Sequence, residues 1–280
     1  MEIANLEKLT TLGHPWRMSV FRLLMRRYPQ AVPAGEIGAV LNIKPSTLSV
    51  YLSGLQNVGL VAVERRGTSR LFRIEMREVE ALHRFLFQEC CRGRPDLCLP
   101  NCASVKQGTD GAEHIYNVLF LCTGNSARSV IAEALLRDQS KGRFNAFSAG
   151  TQPRDMVNPV VIEMLLEKGH DITELRSKHI REFDGPDAPE FDFVFTVCDR
   201  AANEECPAWA GQPISAHWGM PDPTMVAGTD AERRLAFQHT YGALRNRIRA
   251  FADLPLQTLT RVSLQAALDD LATELSPEGV

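Results

Sequence analysis

Hydrophobic positions recur at helical spacing through most of the first 90 residues. Leu48, Leu52, Leu55 and Val58 follow one another at intervals of three or four residues, and Gly59 comes directly after them. This spacing predicts an amphipathic helix that ends at Gly59, because glycine tolerates the backbone conformation that terminates many helices. Comparable patterns predict four more helices, over residues 6–13, 15–27, 32–42 and 76–90.

A different pattern lies between the helix that ends at Gly59 and the predicted helix over residues 76–90. Residues 60–74 alternate between apolar and polar side chains around Arg66-Gly67-Thr68, which predicts a β-hairpin. Short helices, a helix after a tight turn and then a hairpin are the order of a winged helix-turn-helix. We therefore predict a mainly α-helical winged helix-turn-helix domain over residues 1–98.

From Ile115 onward, apolar runs of the buried type alternate with helical patterns. The order predicts an α/β domain of three layers, with a parallel sheet covered by helices on both faces. The predicted strands are 115–122, 144–150 and 191–198, and the predicted helices are 128–140, 158–169 and 229–252. Residues 254–275 predict an extended crossing and a final amphipathic helix. This domain covers residues 114–280, and the Gly-, Ser- and polar-rich stretch 99–113 predicts a linker.

Composition and charge narrow the class of protein. The chain has 280 residues, 44% of them hydrophobic, and a net charge of −3. Residues 1–113 carry 15 Lys and Arg against 11 Asp and Glu, a net +4, whereas the remainder carries 16 against 23, a net −7. No secretory signal and no membrane-length apolar stretch is present, so we expect a cytoplasmic protein without membrane contact. In a reducing compartment, its seven cysteines favour metal binding or catalysis over structural disulfides.

The clearest chemical signal is the loop that follows the first predicted strand of the second domain. Cys122 ends that strand, and Arg128 follows six residues later at the start of a predicted helix. Such a loop directs backbone N–H groups inward, and the arginine supplies a planar fork for two oxygens of a tetrahedral oxyanion. We expect a lowered pKa for the thiol and nucleophilic attack on phosphate or arsenate. The predicted oxyanion-binding residues are Thr123, Gly124, Asn125, Ser126, Ala127, Arg128 and Ser129.

The stretch "VLFLCTGNSARSVIAEALL" resembles the low-molecular-weight protein tyrosine phosphatases and the arsenate reductases that share their fold. The resemblance implies that Cys122 is the nucleophile and that Arg128 binds the oxyanion. It also implies a general acid in an Asp-Pro motif. "HWGMPDPTMV" supplies that motif, so Asp222 is the expected acid.

Two further cysteines bear on the choice between phosphatase and reductase. "VFTVCDRAANEECPAWAGQPISAHWGMPDP" resembles arsenate reductases over its whole length, and the tyrosine pair common in the phosphatases is replaced by Thr224-Met225. The resemblance implies a relay in which Cys198 attacks the arsenic adduct of Cys122 and Cys206 then attacks Cys198. Cys198 and Cys206 are eight residues apart, whereas well-known thioredoxin-coupled members have seven. The external reductant is therefore thioredoxin or a glutathione–glutaredoxin system, with no tightly bound cofactor.

Residues 5–90 resemble the arsenical-resistance repressor (ArsR/SmtB) family of winged-helix proteins. "LGHPWRMSVFRLL" is similar to its opening helices and "IKPSTLSVYLSGLQNVGLV" to its helix-turn-helix. The resemblance implies operator DNA as a partner; an interaction-only winged helix is the alternative. A net charge of only +4 disfavours tight DNA binding by a monomer, so we expect a homodimer through this domain, which doubles the phosphate contacts. The expected DNA-binding residues are Ser46, Thr47, Ser49 and Tyr51 on the recognition helix and Arg65, Arg66 and Arg70 on the wing.

A cysteine cluster follows the last helix of this domain. The stretch before the turn, "AVPAGEIGAV", lacks the cysteine pair usual in the repressor family. Trivalent arsenic prefers two or three thiolates, so Cys90, Cys91 and Cys98 are the expected arsenite ligands. Cys102 is either an additional ligand or part of the linker. Zinc is the competing ion, although no nearby histidine has finger-like spacing.

Together these patterns predict an arsenite-responsive repressor fused to an arsenate reductase, in which the product of the enzyme is the ligand of the sensor. Two alternatives remain open. One is a tyrosine phosphatase fused to a winged-helix regulator, and the other is a DNA-binding metalloregulator with an inactive enzyme domain.

Overall fold

The computed structural model describes residues 2–90, 114–140, 142–185, 187–204, 209 and 212–274. The chain forms two compact units, Met1–Ala103 and Ser104–Val280. The predicted linker, residues 99–113, lies outside the described residues. Within the part that is described, no helix is both long and apolar enough to cross a membrane.

The first unit combines helices with a small antiparallel sheet of strand order β1-β3-β2. Its described elements are α1 Glu2–Leu12, α2 Pro15–Arg27, β1 Val32–Pro33, α3 Ala34–Leu41, α4 Pro45–Asn57, β2 Val61–Arg66, β3 Ser69–Ile74 and α5 Met76–Phe85, followed by a π-helical turn at Leu86–Cys90.

Local chemistry explains where the central helices of this unit begin and end. Pro15 and Pro45 occupy first-turn positions, where the missing N–H costs no hydrogen bond. Asn42 ends α3 in the left-handed conformation, at φ 52°. Leu48 and Leu55 of α4 are buried in the core of the unit. The opposite face of α4 therefore stays open to solvent.

The second unit is built on a parallel sheet of strand order β5-β4-β6-β7. Its elements are β4 Tyr116–Cys122, α6 Arg128–Gln139, β5 Phe144–Gly150, α7 Pro159–Glu167, a 3-10 turn Ile180–Phe183, β6 Phe193–Thr196, α8 Asp199–Asn203, β7 Ile214–His217, a 3-10 turn Pro223–Met225, α9 Asp230–Ala252 and α10 Arg261–Glu274. Strand β7 and the short helix α8 were not predicted from the sequence.

The two faces of this sheet are covered unequally. Alternate residues of β4 point to opposite faces, so Phe120 joins a large cluster with helices α6, α7, α9 and α10, and Leu121 joins a small one. In the described residues, the small cluster is completed by the 3-10 turn and by loop residues such as Phe191. Among the residues that the structure describes, this smaller face thus carries a 3-10 turn and loops where the sequence predicts α-helices.

The parallel topology determines where chemistry can be assembled. Strands β4, β6 and β7 end at Cys122, Thr196 and His217, and parallel neighbours end at the same edge of the sheet. Ligand sites of open α/β sheets lie at this carboxyl edge. Cys122 is the last residue of β4, and the segments after β6 and β7 carry Cys198 and Asp222.

Candidate active site

A cleft of about 550 Å³ opens at the carboxyl edge of the sheet. It brings together four side chains that the sequence predicts to be catalytic, namely Cys122, Arg128, Cys198 and Asp222. Thr123, Gly124, Ser126 and Ala127 also line it, as do Arg154 and Arg200, which were not predicted. The fifth predicted residue, Cys206, lies outside the described residues.

The loop after Cys122 is held in shape by the segment that follows β5. Backbone N–H groups of residues 151, 152, 154 and 158 donate to the carbonyls of residues 122, 123, 124 and 126, at 2.9–3.2 Å. These bonds hold the loop in shape, and one of its N–H groups, that of Asn125, points to the Cys122 sulfur. Ala127 supplies no side-chain cap to α6, so that helix end also stays open to an anion.

Gly150 lets the two segments approach this closely. A Cβ atom at Gly150 would lie 2.6 Å from the carbonyl oxygen of Thr123 and 3.0 Å from the backbone nitrogen of Asn125. Both are backbone atoms, so the loop would have to move.

Hydrogen bonds determine how the thiol is held. The backbone N–H of Asn125 donates to the Cys122 sulfur at 3.0 Å, and the Ser129 hydroxyl lies 2.9 Å from it. The N–H of Lys178 donates to Asn125 Oδ1, so Asn125 Nδ2 must be the donor to Ser129 at 2.9 Å and to Ser148 at 2.8 Å. The Ser129 oxygen thus accepts a bond from Asn125, and when Cys122 is a thiolate the Ser129 hydroxyl is the donor to it, because the sulfur then carries no proton. Asn125 and Ser129 are fully buried, so they support the thiol from behind and do not line the cleft.

A buried ion cluster anchors this network. Ser148, which accepts from Asn125, donates to Glu133 Oε2 at 2.5 Å. Lys178 Nζ lies 3.2 Å from the same oxygen, and Arg137 donates to Glu133 Oε1 at 2.7 Å. Glu133 is 1% exposed, so its charge depends on these cations.

Burial raises the pKa of the Cys122 thiol above its ordinary value, and the charge of the neighbouring Cys198 raises it further. Ser129, Arg128 and the Asn125 N–H lower the pKa, but their combined effect is smaller. The direction is therefore opposite to the lowered pKa that the sequence predicts. The sequence reveals the donors around a thiol, but it does not reveal how deeply the sulfur is removed from water.

Arg128 and Asp222 contact each other across the cleft. One terminal nitrogen of Arg128 lies 2.5 Å from Asp222 Oδ2, and the other donates to the Met220 carbonyl at 3.0 Å. Asp222 Oδ1 accepts from the N–H and hydroxyl of Thr224 at 3.0 and 2.7 Å. A bound oxyanion would therefore compete with Asp222 for the guanidinium and would release the carboxyl group.

Cys198 lies beside the loop as the N-cap of helix α8. Its sulfur accepts from the Ala201 N–H at 3.4 Å and lies 3.5 Å from the Thr123 hydroxyl. It is 2% exposed, comparable with Cys122. Two reduced thiols are therefore buried at one cleft.

In the first unit, the predicted DNA-binding residues lie on the open side of α4 and on the hairpin. Ser46, Thr47, Ser49, Arg65, Arg66 and Arg70 are exposed. Tyr51 is half-buried, with its ring 5.1 Å from that of His14. Arg65 and Arg70 are directly opposite each other across β2 and β3.

Of the predicted arsenite ligands, Cys90 is exposed at the end of the π-helical turn, whereas Cys91 and Cys98, like Cys102, lie outside the described residues. Among the residues that the structure describes, no group of three or more His, Cys, Asp or Glu side chains forms a metal site.

Comparison with known proteins adds to this geometry. Residues 117–264 match the profile of the low molecular weight phosphotyrosine protein phosphatases. The chain is similar to an arsenate reductase of Halalkalibacterium halodurans, with 35% identity over 136 residues that make up 49% of this chain and 94% of the relative. An arsenate reductase of Bacillus subtilis is 33% identical over the same shares. The crystal structure of an arsenate reductase from Archaeoglobus fulgidus is 28% identical and covers 49% of this chain and 99% of its own, with a TM-score of 0.40.

Proposed function

The chain belongs to the low molecular weight phosphotyrosine protein phosphatase family, and we propose that its second unit reduces arsenate to arsenite through a relay of cysteine thiols. The observation that carries this proposal is the presence of two buried thiols, Cys122 and Cys198, at one oxyanion cleft. Hydrolysis of a phosphate ester needs only the first. The curated relatives at 33–35% identity are arsenate reductases, which supports the same choice.

The proposed reaction begins with attack on arsenate. The Cys122 thiolate forms an S–As bond while an As–O bond breaks, and Asp222 protonates the departing oxygen, which leaves as water. Cys198 then attacks the Cys122 sulfur, so that an S–S bond forms and the S–As electron pair stays on arsenic. Arsenic gains two electrons and leaves as arsenite, and the two thiols lose two electrons as a disulfide.

Turnover requires that this disulfide be reduced. We propose that Cys206 attacks Cys198, frees Cys122 and presents a Cys198–Cys206 disulfide to an external thiol reductant, either thioredoxin or glutaredoxin with glutathione.

Arsenate reduction by the purified full-length protein tests the proposal, with thioredoxin and glutaredoxin systems supplied separately. We expect one arsenite per reduced protein without reductant, and multiple turnover with one of the two systems. Cys198→Ser should stop arsenite release and leave arsenic bound to Cys122, which intact-protein mass spectrometry detects. Rapid aryl phosphate hydrolysis that is unaffected by Cys198→Ser, together with no arsenite, would instead identify a phosphatase.

We propose, second, that the first unit is a winged helix that binds operator DNA as a homodimer. The specific observation in its favour is the Arg65–Arg70 pair. Like charges opposite each other on a hairpin are destabilising, and a bound phosphate backbone would relieve the repulsion. The exposed polar residues of α4 supply the matching recognition surface.

We propose further that Cys90, Cys91 and Cys98 bind arsenite and that binding releases the operator. The product of the second unit would then be the inducer sensed by the first.

Selection from random DNA duplexes with the full-length protein tests the DNA-binding proposal. We expect a two-fold symmetric site, and Arg65→Ala/Arg70→Ala should weaken binding and reduce the salt dependence by about two counterions per protomer. Arg77→Ala, at an exposed position of α5, is the matched control. Equal binding by both variants, or no enriched sequence, would refute the DNA site. Arsenite should release the wild type from the selected duplex and not release Cys90→Ala/Cys91→Ala; release of both would exclude the cysteine cluster.

A further inference from the structure

Arg247 on helix α9 is a charged side chain inside the core. Its relative exposure is 0%. Arginine is rarely buried to this extent unless polar partners compensate the lost hydration. Burial lowers the pKa of Arg247 to about 10, which still leaves the guanidinium charged at neutral pH.

The guanidinium contacts two separate pieces of chain. Its Nη1 donates to the Trp218 carbonyl at 3.2 Å and to the Gly219 carbonyl at 3.5 Å, and it lies 3.0 Å from the Met220 sulfur. Its Nη2 donates to the carbonyl of Ala272 at 3.5 Å. Ala272 is in the last turn of α10, where the partial negative charge of the helix end favours a cation.

The loop held in this way leads directly to Asp222. Its beginning is fixed by the Trp218 N–H, which donates to the Thr196 carbonyl at 2.8 Å. Met220 is held from two sides, because its carbonyl accepts from Arg128 at 3.0 Å while its sulfur contacts Arg247. Asp222 follows two residues later. Its position at the cleft thus depends on an arginine from each side of the loop.

We infer that Arg247 is a positioning residue that, with the last turn of α10, holds the 218–222 loop so that Asp222 reaches the oxygen leaving the oxyanion. This inference rests on the proposed function, in which Asp222 is the proton donor. It gives α10 a role in catalysis, although this helix lies mostly beyond the family match at residues 117–264.

A double-mutant cycle in the full-length protein tests the inference. The variants are Arg247→Met, which removes the donors at similar volume, Asp222→Asn, and the two combined. Arg247→Lys is the conservative variant, and Arg249→Met, at an exposed position of the same helix, is the matched control. Each protein is assayed by single-turnover arsenite formation and by hydrolysis of p-nitrophenyl phosphate, because the same cleft and acid serve both reactions.

Asp222→Asn should lower the rate about 100-fold, as expected for loss of a general acid. Arg247→Met should lower it about tenfold or more with little change in KM, and Arg247→Lys should restore part of the loss. In the Asp222→Asn background, Arg247→Met should change the rate less than twofold, because Arg247 affects the rate only by positioning Asp222.

Losses that multiply in the double variant would show that Arg247 acts independently of Asp222 and would overturn the inference. If Arg247→Met does not fold, Arg247→Lys carries the same cycle. Failure of the proposed function has a different signature. The wild type then hydrolyses the aryl phosphate but forms no arsenite. In that case the double-mutant cycle is measured by hydrolysis of p-nitrophenyl phosphate alone. A wild type inactive with both substrates would refute both proposals.

Discussion

Replacing Ser129 with alanine isolates the hydroxyl contact of the Cys122 thiol. The N–H of Lys178 fixes the orientation of the Asn125 amide, and that amide donates to Ser129. When Cys122 is a thiolate, the Ser129 hydroxyl donates to its sulfur, 2.9 Å away. Ser129→Ala should therefore raise the pKa of Cys122 further, because the thiolate loses a donor.

The size of the shift follows from the energy of such a bond. A hydrogen bond to a charged group contributes about 1.5–3 kcal/mol, and a neutral partner receives roughly half as much. The difference between thiolate and thiol is then about 1.4 kcal/mol, or about one pKa unit. Below the midpoint, the thiolate fraction and the alkylation rate should fall about tenfold. Well above the midpoint, the two proteins should react at the same rate.

Iodoacetamide alkylation from pH 6 to 11 measures this shift, with the Cys122 peptide quantified by mass spectrometry because the chain has seven cysteines. Ser126→Ala, in the same loop, is the matched control and should leave the midpoint unchanged. Cys198→Ser should move the midpoint down, since the charge of Cys198 raises the pKa of Cys122. An unchanged or lower midpoint in Ser129→Ala would refute the direction assigned to the hydrogen bond.

Urea denaturation measures how three further substitutions change the free energy of unfolding. Gly150→Ala places a methyl group 2.6 Å from the Thr123 carbonyl oxygen, so we expect the free energy of unfolding to fall by about 1–3 kcal/mol. Phosphate should also inhibit the arsenate reduction of this variant more weakly, because the displaced loop is the proposed oxyanion site. Lys178→Met leaves the buried Glu133 carboxylate with one cation fewer and should lower the free energy of unfolding by about 3 kcal/mol. Burial raises the pKa of Asp269 to about 6, so its protonated form favours folding and its contribution is lost as pH rises from about 4 through 6. Asp269→Asn should remove this loss and gain about 1 kcal/mol at pH 7.5, a value reduced by solvent screening.

Each of these outcomes has a clear contrary result. Gly185→Ala adds a methyl group to open space, so a Gly150→Ala variant as stable as this control would contradict the close approach. Wild-type stability of Lys178→Met would mean that Arg137 alone compensates Glu133. If the stability of Asp269→Asn had the wild-type pH dependence, another group would be responsible for the titration.

The family and the main participants could be predicted because they are local in sequence. Cys122 and Arg128 belong to one strand–loop–helix segment, and Asp222 is marked by the proline that follows it. Strand β7, Ile214–His217, was missed because only two of its four residues are hydrophobic, whereas the equally short β6 lies within the largely apolar run 191–198.

Other features depend on contacts between distant parts of the chain. Ser148, Lys178 and Arg247 approach the site from segments 23 or more residues away from the groups they hold. Nothing in their local sequence marks them, because an ordinary serine, lysine or arginine acquires its role from its neighbours in space.

An oxyanion site over a thiol at the end of a strand could be predicted from the sequence alone, since a short motif specifies its own backbone path and donors. Only the tertiary structure decided the direction of the Cys122 pKa shift, the burial of a second thiol at the same cleft, and the ion pair between Arg128 and Asp222. Desolvation and the distances between charges are properties of the packed chain, and they outweigh the local donors that the motif supplies.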